Sequence, residues 1–174
     1  MRTDDVSPWL IRGLYLFGFA LILTAAIDLM TTVWPMRPAE LAWRYGFLGL
    51  AAGYMQTPTL GLLLIMGAAA LNDSSMVLRL MALVCLATAV ILIGVMGIFG
   101  LDVIQMRGLR AEEMRASVLA GGIFQEVKYF VSMLVFAALG YGGLRTARTL
   151  SAHAAGRPHA PGIVSARGAA ESAD

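Results

Sequence analysis

Four long apolar stretches dominate this chain and decide what it can fold into. They cover residues 9–34, 43–71, 76–100 and 123–144. Each is longer than the roughly 20 residues that an α-helix needs to cross a bilayer. Because hydrocarbon offers no hydrogen-bond partner to backbone N–H and C=O groups, such segments fold as helices packed against each other or against a partner. The sequence therefore predicts an all-α integral membrane protein, built as a four-transmembrane-helix bundle.

Composition and charge agree with a membrane protein and exclude one large class of partners. Hydrophobic residues make up 59% of the chain and charged residues only 14%, a balance typical of membrane proteins. The formal net charge of +2 is small and dispersed, which argues against nucleic acid as a partner. We expect one transmembrane domain in residues 1–150. Residues 151–174 form a polar C-terminal tail, which alone should be disordered.

The connection between the third and fourth stretches differs from the other two. Residues 101–122 make a longer connection, within which residues 111–120 begin with Glu112 and Glu113. Acidic residues are favourable near a helix N-terminus, and the apolar side chains that follow lie close to one helical face. The sequence therefore predicts a short interfacial helix between transmembrane helices three and four. A partly helical loop is the alternative.

Basic residues give the expected location and orientation. The chain has twelve arginines and the single lysine Lys128, a bias that we associate with GC-rich bacterial genomes. Arg145 and Arg148 directly follow the fourth stretch without acidic neighbours. Because cytoplasmic flanks of transmembrane helices are enriched in Lys and Arg, we expect a multi-pass protein of the bacterial cytoplasmic (inner) membrane with both termini in the cytoplasm.

Asp28 is the most informative polar residue inside a predicted membrane helix. It lies six residues before Trp34, or roughly 9 Å below that interface at 1.5 Å per residue. A lone carboxylate in hydrocarbon costs at least ~2.5 kcal/mol, so a partner is expected. Arg44, Glu126 and Lys128 enter neighbouring helices from the same face. The sequence predicts one polar intramembrane cluster of these four residues, either an ion-pair network that joins helices one, two and four or a proton or ion site at Asp28.

A second polar group interrupts the second stretch at Gln56, Thr57 and Pro58. Pro58 has no N–H to donate to the carbonyl of Tyr54 and should kink the helix. Gln56 and Thr57 can satisfy the groups that are freed. The same residues could line a substrate cavity, although neutral polar side chains also join helices in membranes.

Glycines recur at helical spacing in the second and third stretches, notably Gly49 and Gly53, and Gly94 and Gly97. Their lack of side chains makes smooth grooves suited to close helix packing. The groove could hold a neighbouring helix of the bundle, a second protein, or a flat pigment or lipid, and the sequence leaves these open.

Missing residue types limit the chemistry. The only histidines are His153 and His159, in the tail, so no intramembrane histidine can ligate haem, copper or a chlorophyll magnesium. The single cysteine, Cys85, lies in the middle of an apolar stretch, where a thiolate is strongly disfavoured. We find no catalytic motif or metal-ligand cluster and predict a protein that is not an enzyme and holds no metal, with contacts to lipid or pigment at its surface.

Two functional hypotheses follow from these patterns. The first is a non-catalytic structural subunit, accessory to a larger bacterial membrane complex of the photosynthetic or respiratory type. Its partners would be membrane lipids and other integral membrane subunits. The alternative is a small proton- or solute-coupled carrier or channel, which would use Asp28 and the region from Gln56 to Pro58.

Overall fold

A computed structural model describes residues 7–109 and 112–155 of the chain. Within these ranges the regular structure is entirely α-helical, without strands. The helices are α1 (Pro8–Val33), α2 (Leu41–Tyr54), α3 (Gln56–Leu71), α4 (Ser75–Leu109) and α5 (Glu112–Ala155). With α2 and α3 counted as one, four helices are long and apolar enough to span a membrane. The predicted all-helical, four-span architecture is confirmed at that level.

Local chemistry explains where the first helices begin and end. Pro8 occupies the first turn of α1, where its missing N–H costs nothing. The helix ends at Val33 because Trp34 adopts extended backbone angles and Pro35 follows it. The indole N–H of Trp43, in the first turn of α2, donates to the carbonyl of Val33 at 3.1 Å. It thereby satisfies a carbonyl that the end of α1 leaves free.

A compact turn closes α3 and leads into α4. Asp73 adopts a left-handed conformation with φ of 50°, and its N–H donates to the carbonyl of Ala70. The N–H of Ser74 donates to the carbonyl of Ala69 at 2.9 Å. These two bonds form a Schellman motif, with Asp73 in the position that glycine usually occupies.

The second span is interrupted at Met55, between α2 and α3. Pro58 has no N–H for the carbonyl of Tyr54, so the helical ladder lacks one bond at this point. The hydroxyl of Thr59 donates to the carbonyl of Met55 at 2.6 Å. A side-chain hydroxyl, that of Thr59, thus donates to the carbonyl next to the one that Pro58 leaves free.

The predicted interfacial helix at residues 111–120 is not confirmed as a separate element. Residues from Glu112 onward are the first turns of α5, which continues without a break to Ala155. Packing explains this continuity: a Cβ atom added to Gly122 would lie 2.7 Å from Cγ1 of Val103. Glycine at this position lets α5 lie directly against α4, so both helices extend beyond their predicted ends.

The predicted polar tail also begins as helix. α5 includes residues 151–155, and the ring Nδ1 of His153 lies 2.8 Å from the carbonyl oxygen of Thr149. The rest of the tail, residues 156–174 with His159, lies outside the described residues, as do residues 110 and 111.

The bundle consists of two closely packed helix pairs that meet directly through α3, with α2 packed beside them. α4 and α5 share the most extensive contact, α1 packs mainly against α3, and α2 contacts α4 and α5. Glycine permits the α1–α3 contact, because a Cβ atom added to Gly18 would lie 2.7 Å from the carbonyl oxygen of Gly61. The reverse addition at Gly61 would place a Cβ atom 2.5 Å from the carbonyl oxygen of Gly18.

We predict that Gly18→Ala destabilises the bundle, because the new methyl group would meet backbone that cannot move aside. Overpacking of this kind typically costs about 1–3 kcal/mol. Gly13→Ala on the same helix is the matched control, since a Cβ atom there has nothing within 4 Å. Helicity followed through a denaturant titration in detergent measures both variants. Equal stability of the two variants would contradict the packing described.

Candidate functional site

A partly buried ion pair joins the second and third spans. Arg44 lies in the first turn of α2 and Asp102 lies in the C-terminal part of α4. Nη2 of Arg44 donates to Oδ1 of Asp102 at 2.7 Å, and Nε donates to Oδ2 at 3.1 Å. This bidentate arrangement is the strongest geometry that a guanidinium and a carboxylate can form. The side chain of Asp102 is only 2% exposed, whereas that of Arg44 is 34% exposed.

Asp102 is buried because it lies on the packed face of α4. Phe99, Val103 and Met106 are buried on the same face, at the spacing that a helix requires. Asp102 is the one charged side chain that is fully buried in the described part of the chain. An unpaired carboxylate in this position would be costly, so Arg44 is what allows it to remain there.

Aromatic rings continue this cluster into α5. The ring of Tyr45 stacks on Phe99 with centroids 5.5 Å apart, and Phe99 meets the ring of Tyr129 edge-on at 6.0 Å. The hydroxyl of Tyr129 donates to the carbonyl of Leu48. The hydroxyl of Tyr45 donates to the carbonyl of Val118 at 3.4 Å. Three helices are therefore joined by aromatic contacts and by hydrogen bonds from both tyrosine hydroxyls.

Glu126 lies next to this cluster with one oxygen unsatisfied. Its Oε1 is buried and has no hydrogen-bond partner among the described residues. A Cβ atom added to Gly100 would lie 3.4 Å from that oxygen, so Glu126 packs against a site on α4 that carries no side chain. Arg44 and Glu126 thus belong to one end of the bundle, but the carboxylate that holds Arg44 is Asp102.

The structure does not bring the four residues of the predicted polar cluster together. Asp28 is exposed on α1, and its backbone carbonyl accepts the hydroxyls of Thr31 and Thr32. The ammonium of Lys128 lies 4.7 Å from the ring centroid of Phe124. α1 packs mainly on α3, so Asp28 is not carried to Arg44. The ion pair therefore joins the second and third spans, not the helices that the sequence suggested.

Asp102 is the residue that sequence reasoning missed. Residues 101–122 were predicted to be a connection, so Asp102 was not placed in a helix. A usable signal was present: Phe99, Val103 and Met106 continue the apolar periodicity of the third span past Asp102.

A cleft of about 460 Å³ lies between the second span and α5. It brings together two of the predicted site residues, Gln56 and Lys128, on opposite walls. Most of the remaining lining is apolar or small: Ala52, Thr59, Leu60, Val127, Val131, Ser132 and Val135. We call this the Lys128 cleft. Neither Thr57 nor Pro58 is among the residues that line it.

The predicted packing glycines all face open space within this chain. A Cβ atom added to Gly49, Gly53, Gly94 or Gly97 would meet nothing within 4 Å. They therefore do not seat another described helix of the bundle. Gly49 and Gly53 instead line a smaller cleft of about 230 Å³, beside Gln125. The Oε1 atom of Gln125 is buried without a hydrogen-bond partner in the described part of the chain.

No protein-family model matches this chain, and no curated protein or solved structure is significantly similar to it. In the described residues, no three His, Cys, Asp or Glu side chains lie close enough to share a metal ion. The class is defined by the fold alone: an α-helical bundle with four candidate membrane spans and a partly buried ion pair at one end.

We predict that replacing Arg44 lowers the stability of the protein more than replacing Asp102 does. Arg44→Gln leaves the buried Asp102 carboxylate unpaired, which costs about 3 kcal/mol or more. Asp102→Asn should cost less, because the partly exposed Arg44 can turn towards water. The double variant should be more stable than Arg44→Gln alone. Denaturant titration in detergent measures all three.

Arg37→Gln is the control for loss of an arginine. Arg37 pairs with Glu40 at 3.4 Å, and both side chains are more than half exposed, so the pair contributes little. A cost of Arg44→Gln no larger than that of Arg37→Gln would contradict the role given to Asp102.

Proposed function

We propose that this chain is a non-catalytic accessory subunit of a larger bacterial membrane complex, of the photosynthetic or respiratory type. In this proposal it packs against other integral membrane subunits. The observation that carries the proposal is one side of α2, formed by Gly46, Gly49, Leu50 and Gly53. We call this side the open glycine face.

The glycines of the open glycine face are spaced to lie on one side of a helix, but no other described part of the chain packs against them. Its glycines lie three and four residues apart, so they share one side of α2. A Cβ atom at Gly46, Gly49 or Gly53 would meet nothing within 4 Å, in contrast to Gly18, where the chain itself leaves no room. Each glycine inside a helix costs about 0.5–1 kcal/mol relative to alanine. α2 nevertheless has three glycines among its fourteen residues. A second helix whose backbone approaches this face would account for them.

Gln125 supports a protein partner over lipid tails at the same place. Its buried amide oxygen has no hydrogen-bond partner among the described residues, and the side chain lines a cleft with Gly49 and Gly53. Lipid tails cannot donate a hydrogen bond, whereas a hydroxyl or amide on a partner helix can. A docked helix would therefore fill the glycine groove and offer polar groups to the part of the Gln125 side chain that lines it.

The low burial of the spans gives further support. Between 11% and 33% of the residues in the most apolar window of each span are buried inside the chain. Most of the apolar surface is thus left for lipids and neighbouring subunits. Gly94 and Gly97 on α4 offer a second open site at a different helix, which fits a subunit placed between more than one neighbour.

The carrier alternative has less support from the geometry. It requires Asp28 and Gln56 to share a path through the bundle. Gln56 lines the Lys128 cleft, but Asp28 is exposed on α1 and does not line that cleft.

We predict that the tagged full-length protein, extracted from its native membrane in a mild detergent, co-elutes with larger subunits in stoichiometric amounts. Size-exclusion chromatography, mass spectrometry and absorption spectra of the peak identify them, and pigment or haem absorbance distinguishes a photosynthetic from a respiratory complex. Gly53→Leu should lower the amount of co-eluting partner about tenfold, equivalent to about 1.4 kcal/mol.

Gly13→Leu is the matched control, because that position is equally open but lies on α1. It should leave co-elution unchanged, and circular dichroism should show native helicity in both variants. Elution of the wild-type protein alone, or equal loss of partner in both variants, would overturn the proposal.

A further inference from the structure

We propose that the Lys128 cleft binds one anionic phospholipid, with an acyl chain along its apolar walls and the phosphate at the Lys128 ammonium. No residue lines both this cleft and the smaller cleft at the open glycine face, although both clefts lie between the second span and α5. The lipid site stands or fails independently of the proposed subunit role.

The shape of the cleft suits an elongated apolar group. Its volume of about 460 Å³ falls in the range of ligand pockets, which are mostly apolar with a few polar groups. α5 contributes residues from Val127 to Val135 to one wall, with Val131 between them. From Lys128 to Val135 the wall extends about 10 Å along the helix axis, at 1.5 Å per residue. The cleft is therefore a groove that runs along the bundle.

The charge of the cleft is positive and uncompensated. Lys128 is the one charged residue in the lining, and no carboxylate of the described residues lies within ion-pair distance of it. Glu126 is close in sequence, but its buried oxygen packs near Gly100 on α4 and it does not line the cleft. An ammonium within a membrane span costs about 2.5–3.5 kcal/mol unless it is paired or reaches the interface. An anionic headgroup would supply the missing partner.

The depth of Lys128 in the bundle favours a lipid over a soluble anion as the ligand. Tyr129 bonds to Leu48, seven residues after α2 begins, so this part of α5 lies about 10 Å inside the start of α2. The ammonium lies over the ring of Phe124, one turn nearer to that end. The side chain thus extends towards the interface, while Val131 and Val135 line the cleft deeper in the bundle. Charge near the interface and an apolar wall below it match the order of groups in a phospholipid.

Native mass spectrometry of the delipidated full-length protein tests this assignment. The protein is offered equal amounts of phosphatidylglycerol and phosphatidylcholine with identical acyl chains. We expect one phosphatidylglycerol to be retained about tenfold more than phosphatidylcholine. Lys128→Gln should remove the preference and Lys128→Arg should keep it. Arg79→Gln, which removes a cation at the other end of α4 that contacts Ser151, should keep it as well.

A second pair of variants tests the groove without changing the charge. Ser132→Phe should fill the cleft and lower retention of both lipids. Ala87→Phe adds the same ring to an exposed position on α4 and should not. Circular dichroism checks that each variant is folded.

Three results would overturn the proposal. They are equal retention of the two lipids by the wild-type protein, a preference that survives Lys128→Gln, and displacement of the bound lipid by glycerol phosphate, which has no acyl chain. The last result would indicate a site for soluble anions.

Discussion

The buried carboxylate of Asp102 is the constraint on which one end of the bundle depends. It lies on the packed face of α4 with almost no exposure and is tolerable there only while Arg44 meets both of its oxygens. That requirement fixes the first turn of α2 against α4. Tyr45, the next residue, then stacks on Phe99, and Phe99 meets Tyr129. The ion pair thus sets the position of the aromatic contacts that join three helices.

Glycine has two different roles in this chain, and spacing alone does not distinguish them. Gly18 and Gly122 lie where a methyl group would collide with a neighbouring helix. Gly49 and Gly53, which have the more familiar packing pattern, lie where a methyl group would meet nothing. The difference depends on which side of a helix faces a neighbour, and that is a property of the assembled bundle. The open positions are consequently the ones that point outside the chain.

The four candidate spans were predictable, because hydrocarbon leaves the backbone no alternative to helices. The lengths of α4 and α5 were not. Charged residues between 101 and 122 suggested a connection, whereas apolar positions such as Val103 keep both helices in contact. The partner of Arg44 was also mistaken: Asp28, Glu126 and Lys128 were candidates by depth in the membrane. Which residues form an ion pair depends on which sides of the helices face each other. The order of the helices along the chain does not predict that α1 packs on α3.

The separation of Arg44 and Asp102 along the chain, 58 residues, has a consequence for how the protein is made. Synthesis proceeds from the N-terminus, so Arg44 leaves the ribosome well before the carboxylate that neutralises it exists. Until α4 follows, the second span carries an uncompensated cation near its leading end. Because Arg44 is partly exposed, it can face water during that interval, and its bond to Asp102 forms only once α4 is in place. The contact that holds the first turn of α2 against α4 is therefore one that forms late, after both helices have been made.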